Sequence, residues 1–126
     1  MLSPEPAPAL APRVVVVDDD TAVRSVLTQI LADVGFEVVG TAGGGLEAIA
    51  LAESLRPDAV VLDVRMPGVD GIEAARRIRP LDPHVRLVML SAYDDATLQR
   101  EAAEAGANTF LVKGCPLSEL VDAMTG

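Results

Sequence analysis

Val60-Val61-Leu62-Asp63-Val64-Arg65-Met66-Pro67-Gly68-Val69-Asp70-Gly71 is the stretch that decides the fold. It opens as an apolar run and stops at an acid, Asp63. Pro67-Gly68 then predicts a type II turn, because proline presets the first central dihedral and glycine admits the left-handed second one. Asp70 stands three residues before Glu73, the spacing of a capping box that starts a helix. Strand, acid, turn and helix in that order lift one carboxylate to the carboxyl end of a buried strand. Open α/β sheets place their chemistry there.

The same grammar repeats along the chain. Val14 to Val17 is a four-valine run, read as a strand buried on both faces, and it ends at Asp18, Asp19 and Asp20. Val23, Val26, Leu27, Ile30, Leu31 and Val34 follow the i, i+3, i+4, i+7 pattern of an amphipathic helix, closed by Gly35. A second strand is read over Phe36 to Thr41. Gly43-Gly44-Gly45 breaks the chain before a helix from about Leu46 to Leu55, which Pro57 stops.

The strand Ala59 to Leu62 leads to a helix near Gly71 to Arg79. That helix should bury Ile72, Ala75 and Ile78, expose Arg76, Arg77 and Arg79, and end at Pro80. Val85 to Leu90 is a fourth strand finishing at Ser91. Asp94 and Asp95 open a helix running to about Ala105 and capped by Gly106, with acids at the positive end of its dipole. Its small, Ala-rich stripe predicts light packing. Thr109 to Val112 is the fifth strand, ending at Lys113. Pro116 is read as the first position of a last helix carrying Leu117, Leu120, Val121 and Met124 on one face. Five strands alternating with helices through short connections make an α/β fold: a parallel sheet covered on both faces.

Composition narrows the function. The 126 residues suit one domain, and with half of them hydrophobic but only 2% aromatic the core must be built from Val, Leu, Ile and Ala. A net charge of −9 argues against gripping nucleic acid directly, since phosphate neutralisation needs clustered Lys and Arg. The lone cysteine, Cys115, allows no internal disulfide and fits a reducing, cytoplasmic setting. Residues 1–12 carry four prolines and read as a disordered tail, neither signal peptide nor membrane span, leaving 13–126 as the domain proper.

In a parallel sheet the carboxyl ends share one edge, which brings Asp18, Asp19, Asp20, Asp63, Ser91 and Lys113 together. Taken singly, each has an ordinary reading: a helix cap, a loop acid, a surface lysine. Four strand ends bearing complementary polar groups is a stronger signal. Two carboxylates about 5 Å apart repel by roughly 3 kcal/mol at an effective dielectric near 20. Such a cluster calls for a divalent cation, and an all-oxygen set suits Mg²⁺ better than zinc. His84 stands alone in a loop and offers no competing site. A carboxylate nucleophile beside Mg²⁺, a lysine and a hydroxyl is a phosphoryl-transfer constellation, with an aspartyl phosphate at Asp63 as its product.

VVVVDDDTAVR, VVLDVRMPGVDG, VMLSAY and FLVKGCP resemble, in order and spacing, the signature segments of the response-regulator receiver domain. The resemblance covers about Arg13 to Gly126. It implies a flavodoxin-like, doubly wound sheet in the order 2-1-3-4-5. It also implies a phosphoacceptor, Asp63, charged by a sensor histidine kinase. Mg²⁺ would be held by Asp18, Asp19, Asp63 and the backbone carbonyl of Arg65; Ser91 and Lys113 would bind the phosphoryl oxygens. Phe110 would be the aromatic switch, turning as Ser91 moves and reshaping the face made by helix four, strand five and helix five. Coupling of this kind is typically about 1–3 kcal/mol. Arg65 and Tyr93 would tune access of hydrolytic water. Such a domain catalyses its own phosphorylation and dephosphorylation and is not a conventional turnover enzyme.

Two departures stand out. Gly114 follows the lysine where many receivers have proline, and Asp20 adds a third acid, read here as the helix cap. The VRMPGVDG and LVKG forms resemble receivers joined to a helix-turn-helix domain. DNA is therefore expected as a partner only through an output domain outside these residues, with a homodimer possible on phosphorylation and no membrane partner. A haloacid-dehalogenase-like phosphatase fits poorly, because Ala22 replaces the Thr or Val expected after Asp18 and Asp20 and these residues leave no room for a cap domain and the late acidic pair. A phosphorylation-independent interaction module on the same fold is the other alternative.

Overall fold

Five short runs rich in Val and Leu pair in parallel, and their side chains sort the helices onto two faces. The structure, a computed structural model, describes residues 11–125. Most of the expected tail, residues 1–10, lies outside them. The order along the chain is β1 (Arg13–Val17), α1 (Thr21–Asp33), β2 (Glu37–Ala42), α2 (Gly45–Leu55), β3 (Ala59–Asp63), α3 (Gly71–Leu81), β4 (Arg86–Ser91), α4 (Ala96–Glu104), β5 (Thr109–Val112) and α5 (Leu117–Thr125). The sheet order is β2-β1-β3-β4-β5, the flavodoxin-like order expected.

Successive side chains on a strand point to opposite faces, so the valine runs serve both. Val15, Val17, Val60, Leu62, Leu87 and Met89 pack under α2, α3 and α4 with Ala52, Ala75, Ile78 and Ala102. Val14, Val16, Val61, Val88 and Leu90 pack under α1 and α5 with Leu31, Leu120 and Met124. Register then aligns the strand ends: Val17 lies opposite Leu62, Asp63 opposite Leu90, and Ser91 opposite Val112. Asp18, Asp63, Ser91 and Lys113 follow or occupy those positions.

Local chemistry agrees with most of the expected boundaries. Asp20 caps α1, its Oδ1 accepting from the amides of Ala22 and Val23 at 2.8 and 3.3 Å. Asp95 caps α4 in the same way. Asp70 caps α3 by accepting from Glu73 N at 2.8 Å, which is half of a capping box. The other half does not form, because the Glu73 carboxylate turns outward to Arg76 and Arg77.

Several details differ from the sequence reading. The helix α3 runs through Pro80 to Leu81. A missing N–H is cheap in a last turn that still closes through Asp82 N donating to Ile78 O at 3.0 Å. Arg79, expected on the exposed face, is half-buried and donates to the carbonyls of Val85 and Gly106 and to Asn108 Oδ1, tying the end of α3 to β4 and to the α4–β5 connection. Finally α5 begins at Leu117, with the Pro116 carbonyl accepting from Glu119 N at 3.0 Å, so the proline sits just outside the helix. Pro12, assigned to the tail, already accepts from Glu37 N at 2.9 Å.

Gly71 is what lets α3 start hard against the end of β3. Its amide donates to Val64 O at 2.9 Å, and a Cβ there would lie 2.0 Å from the carbonyl oxygen of Asp63. Backbone cannot yield cheaply to such a clash. Gly71→Ala is expected to cost about 3 kcal/mol or more, the upper part of the range for overpacking. Urea unfolding that shows an unchanged midpoint would contradict this packing.

Candidate functional site

Among the described residues, the buried polar or charged side chains are Asp18, Asp63 and Ser91, and all three stand at the carboxyl edge of the sheet. Burial of one carboxylate is costly, and burial of two side by side is more so. Lys113, at the end of β5, supplies the compensating charge. Its Nζ lies 3.0 Å from Asp18 Oδ2 and 3.3 Å from Asp63 Oδ1.

The two acids are held differently. Asp18 Oδ1 accepts from the amide of Asp20 at 2.9 Å. Its Oδ2 contacts the Lys113 ammonium as an ion pair, and this buried oxygen has no hydrogen-bond donor. Asp63 Oδ1 faces Lys113 and, at the long distance of 3.4 Å, the Arg65 amide. Burial first, and then the neighbouring Asp18 carboxylate, push the Asp63 carboxyl up to about 6, against the opposite pull of Lys113. For Lys113, burial pulls the pKa down. The contact with Asp18 and the charges of Asp63 and Asp18 outweigh that pull, and the ammonium is held above its ordinary range.

A cation fits this arrangement. Oxygens of Asp18, Asp19 and Asp63, one from each, lie within 4.8 Å of one another, and Asp18 also has a buried oxygen, Oδ2, that no hydrogen-bond donor occupies. Three carboxylates facing one ammonium leave negative charge in excess, and hard oxygen donors suit Mg²⁺ or Ca²⁺. Asp20 is turned away by its capping role.

The remaining candidates divide into those that share a cavity with the acceptor and one that does not. A cavity of about 220 Å³ is lined by Asp63, Val64, Arg65, Ser91, Ala92, Tyr93 and Lys113. Ser91 is buried, its Oγ accepting from Tyr93 N at 3.1 Å, whereas Arg65 and Tyr93 are exposed at the rim. Phe110 does not line this cavity; it is half-buried on β5 and packs into the core beneath α2 to α4. His84 is exposed in the α3–β4 loop, at the other end of β4 from Ser91.

Gly114, the departure from the usual proline, makes a turn of its own. Its φ is +87°, and Cys115 N donates to Val112 O at 3.1 Å across it. A left-handed third residue is what a type II turn needs, and proline cannot supply it. Lys113 N meanwhile donates to Ser91 O at 2.7 Å, so the lysine leaves the sheet in register with the serine.

Sequence reasoning missed one residue beside the site. Arg24, on α1, donates from Nη1 to the Asp18 carbonyl at 2.8 Å. Nothing in the helical periodicity marks it, since arginines on polar helix positions usually face water.

Fold and strand-end chemistry together define a class, the receiver domains of two-component signalling. The chain belongs to the response regulator receiver domain family, whose pattern it matches over residues 14–125. It is 40% identical over 121 residues to the transcriptional regulatory protein PdtaR of Mycobacterium tuberculosis, covering 92% of this chain and 56% of that protein. It is 38% identical over 112 residues to the chemotaxis protein CheY of Thermotoga maritima, covering 89% of this chain and 93% of that one. Among solved structures it resembles a chain of the CheX–CheY–BeF3–Mg²⁺ complex from Borrelia burgdorferi, with a TM-score of 0.82 and 33% identity over 88% of this chain and 84% of that chain. The chain thus spans about half the length of relatives such as PdtaR. No helix among the described residues is long and apolar enough to cross a membrane.

The raised Asp63 pKa gives a signed expectation for the metal-free protein. A carboxyl that titrates near 6 folded and near 3.8 unfolded binds more protons in the native state between those values, so it makes stability fall as pH rises from about 4 to above 6. The elevation is worth about 3 kcal/mol. In chelator-treated samples, Asp63→Asn should therefore gain on the wild type by an amount that grows to about 3 kcal/mol at pH 7. Parallel stability curves for the two proteins from pH 4 to 7 would contradict it.

Proposed function

We propose that this domain accepts a phosphoryl group on Asp63 from a phosphohistidine of a sensor histidine kinase, in a Mg²⁺-dependent reaction. The observation that carries the proposal is the placement of Asp63: a buried carboxylate at a strand end, paired with Lys113 and opening into a small cavity with Ser91. A structural ion pair has no need of such a cavity. The Borrelia complex, obtained with Mg²⁺ and BeF3, supports the same assignment by similarity.

In this reading an Asp63 oxygen attacks phosphorus, and the P–N bond to the donor imidazole breaks with its electron pair going to nitrogen. A donor ring protonated on its other nitrogen leaves neutral. Asp18, Asp19, Asp63 and the Arg65 carbonyl would hold Mg²⁺, whose charge offsets the negative charge that gathers on the transferring group. Lys113 steadies one phosphoryl oxygen as a point charge, and the Ser91 hydroxyl donates to another. To do so Ser91 Oγ has to leave the Tyr93 amide it now accepts from. That movement would couple the phosphorylated state to the start of α4 and to Phe110, the proposed switch.

The output is proposed from similarity. PdtaR is named as a transcriptional regulatory protein, and the chain covers about half of it. We infer that transcription is regulated through an output domain outside these residues, with DNA contacted only there and phosphorylation favouring a homodimer. The reading frame around this segment decides whether such a domain exists.

Incubation with acetyl phosphate and MgCl₂, followed by intact mass, should show the gain of one phosphoryl group. The gain should vanish in Asp63→Asn and in chelator. A gain that persists in Asp63→Asn would place the acceptor elsewhere. Arg65 and Tyr93 stand at the cavity rim, where their bulk screens the acyl phosphate from water. Replacing both by alanine should shorten the phosphoryl half-life several-fold at neutral pH, and an unchanged half-life would remove them from that role.

A further inference from the structure

Arg24 lies one turn into α1, behind the loop of three aspartates. Its Nη1 donates to the Asp18 carbonyl at 2.8 Å, a carbonyl one residue past the last β1–β3 pair, Val17 with Leu62. Asp18 is thereby held at almost every polar atom. Its amide donates to Ala42 O at 3.1 Å, its Oδ1 accepts from Asp20 N at 2.9 Å, and its carbonyl accepts from Arg24. The remaining atom is Oδ2, the buried oxygen with no hydrogen-bond donor, on a residue that belongs to the cation-sized carboxylate group.

The arginine grips backbone and leaves the acids alone. Among the described residues, the ion pairs of this edge are those of Lys113, and none joins Arg24 to Asp18, Asp19 or Asp20. A loose guanidinium this close to three carboxylates would be drawn into them and would compete with a metal. Tethering to the carbonyl prevents that. Gly43 provides the space, since a Cβ there would come within 3.1 Å of Nη1.

We propose that Arg24 is a positioning residue for the divalent-cation site: it fixes the Asp18–Asp19 peptide so that the two carboxylates are presented together. The inference rests on the reading of that site as Mg²⁺-binding. Its sign is informative. As a mere neighbouring charge Arg24 repels a cation, and removing it would tighten binding. As a positioning residue its removal weakens binding, as loss of outer-shell partners of metal ligands does.

The test is an ¹⁵N NMR titration with MgCl₂, following the amides of Asp19 and Arg65, with metal-free thermal midpoints recorded on the same samples. Arg24→Met should bind Mg²⁺ about tenfold more weakly than wild type. Arg24→Lys should recover part of the loss, and Gly43→Ala, which crowds the guanidinium without removing it, should show a smaller weakening. The metal-free midpoints should not follow that ranking. Unchanged or tighter binding in Arg24→Met overturns the positioning role and leaves the cation site standing; if that variant does not fold, unchanged or tighter binding in Gly43→Ala does the same. A wild-type protein that shows no Mg²⁺ binding overturns the underlying reading instead.

Discussion

The burial of two carboxylates against one ammonium is the constraint on which this domain depends. Asp18 and Asp63 are both nearly inaccessible, and Lys113 reaches both. In the metal-free state the arrangement is under-compensated, which burial and mutual repulsion register as a raised Asp63 pKa. A protein selected for stability alone would do better with apolar residues at these positions, because desolvated charges rarely recover their hydration cost. The frustration is useful where something must be bound. A divalent cation would relieve it, and a phosphoryl group would bring negative charge to the Lys113 ammonium. In the proposed reading the site is stabilised by its ligands more than by itself.

Such a site needs a rigid frame, and the sheet supplies it. The valine runs of β1 and β3 are buried on both faces, and a slip in register would misalign the acids at their ends. Around this frame the helices are held unevenly. Among the described residues of α4, burial within the helix falls on Ala102, a small side chain, while the Arg79 guanidinium ties down the backbone just beyond its C-terminal end. The N-terminal end of α4 stands next to Ser91 and Tyr93, whose amide-to-hydroxyl bond phosphorylation would have to break. A helix anchored at one end and lightly packed along its length is suited to moving at the other.

Much of this was legible in the residues. The alternation of valine-rich runs with helical periodicity reports the two-faced sheet, because burial on both sides leaves no room for polar residues. Asp20 as a cap follows from its place just before the first helical run, and the acids and Lys113 share an edge because strand ends lie together. What escaped was the destination of long polar side chains. Helical phase points Arg79 outward, yet its acceptors at Gly106 and Asn108 lie 27 and 29 residues away and exist only once α4 has docked. Glu73 had a local alternative to the capping box in Arg76 and Arg77. Arg24 is the same lesson at the site itself: its partner is a backbone carbonyl, which carries no signature in the sequence. Pro80 shows that a helix breaker in a last turn removes one bond and leaves the helix in place.

The charge state of Asp63 tests this account most directly. Its carboxyl ¹³C shift can be followed against pH, with chelator and then with saturating MgCl₂, using Asp63→Asn to assign the resonance. The account requires a midpoint near 6 without metal and a clear fall when Mg²⁺ is added, as the cation takes up the charge that burial and Asp18 penalise. A midpoint at the ordinary carboxylate value that does not respond to Mg²⁺ would contradict it.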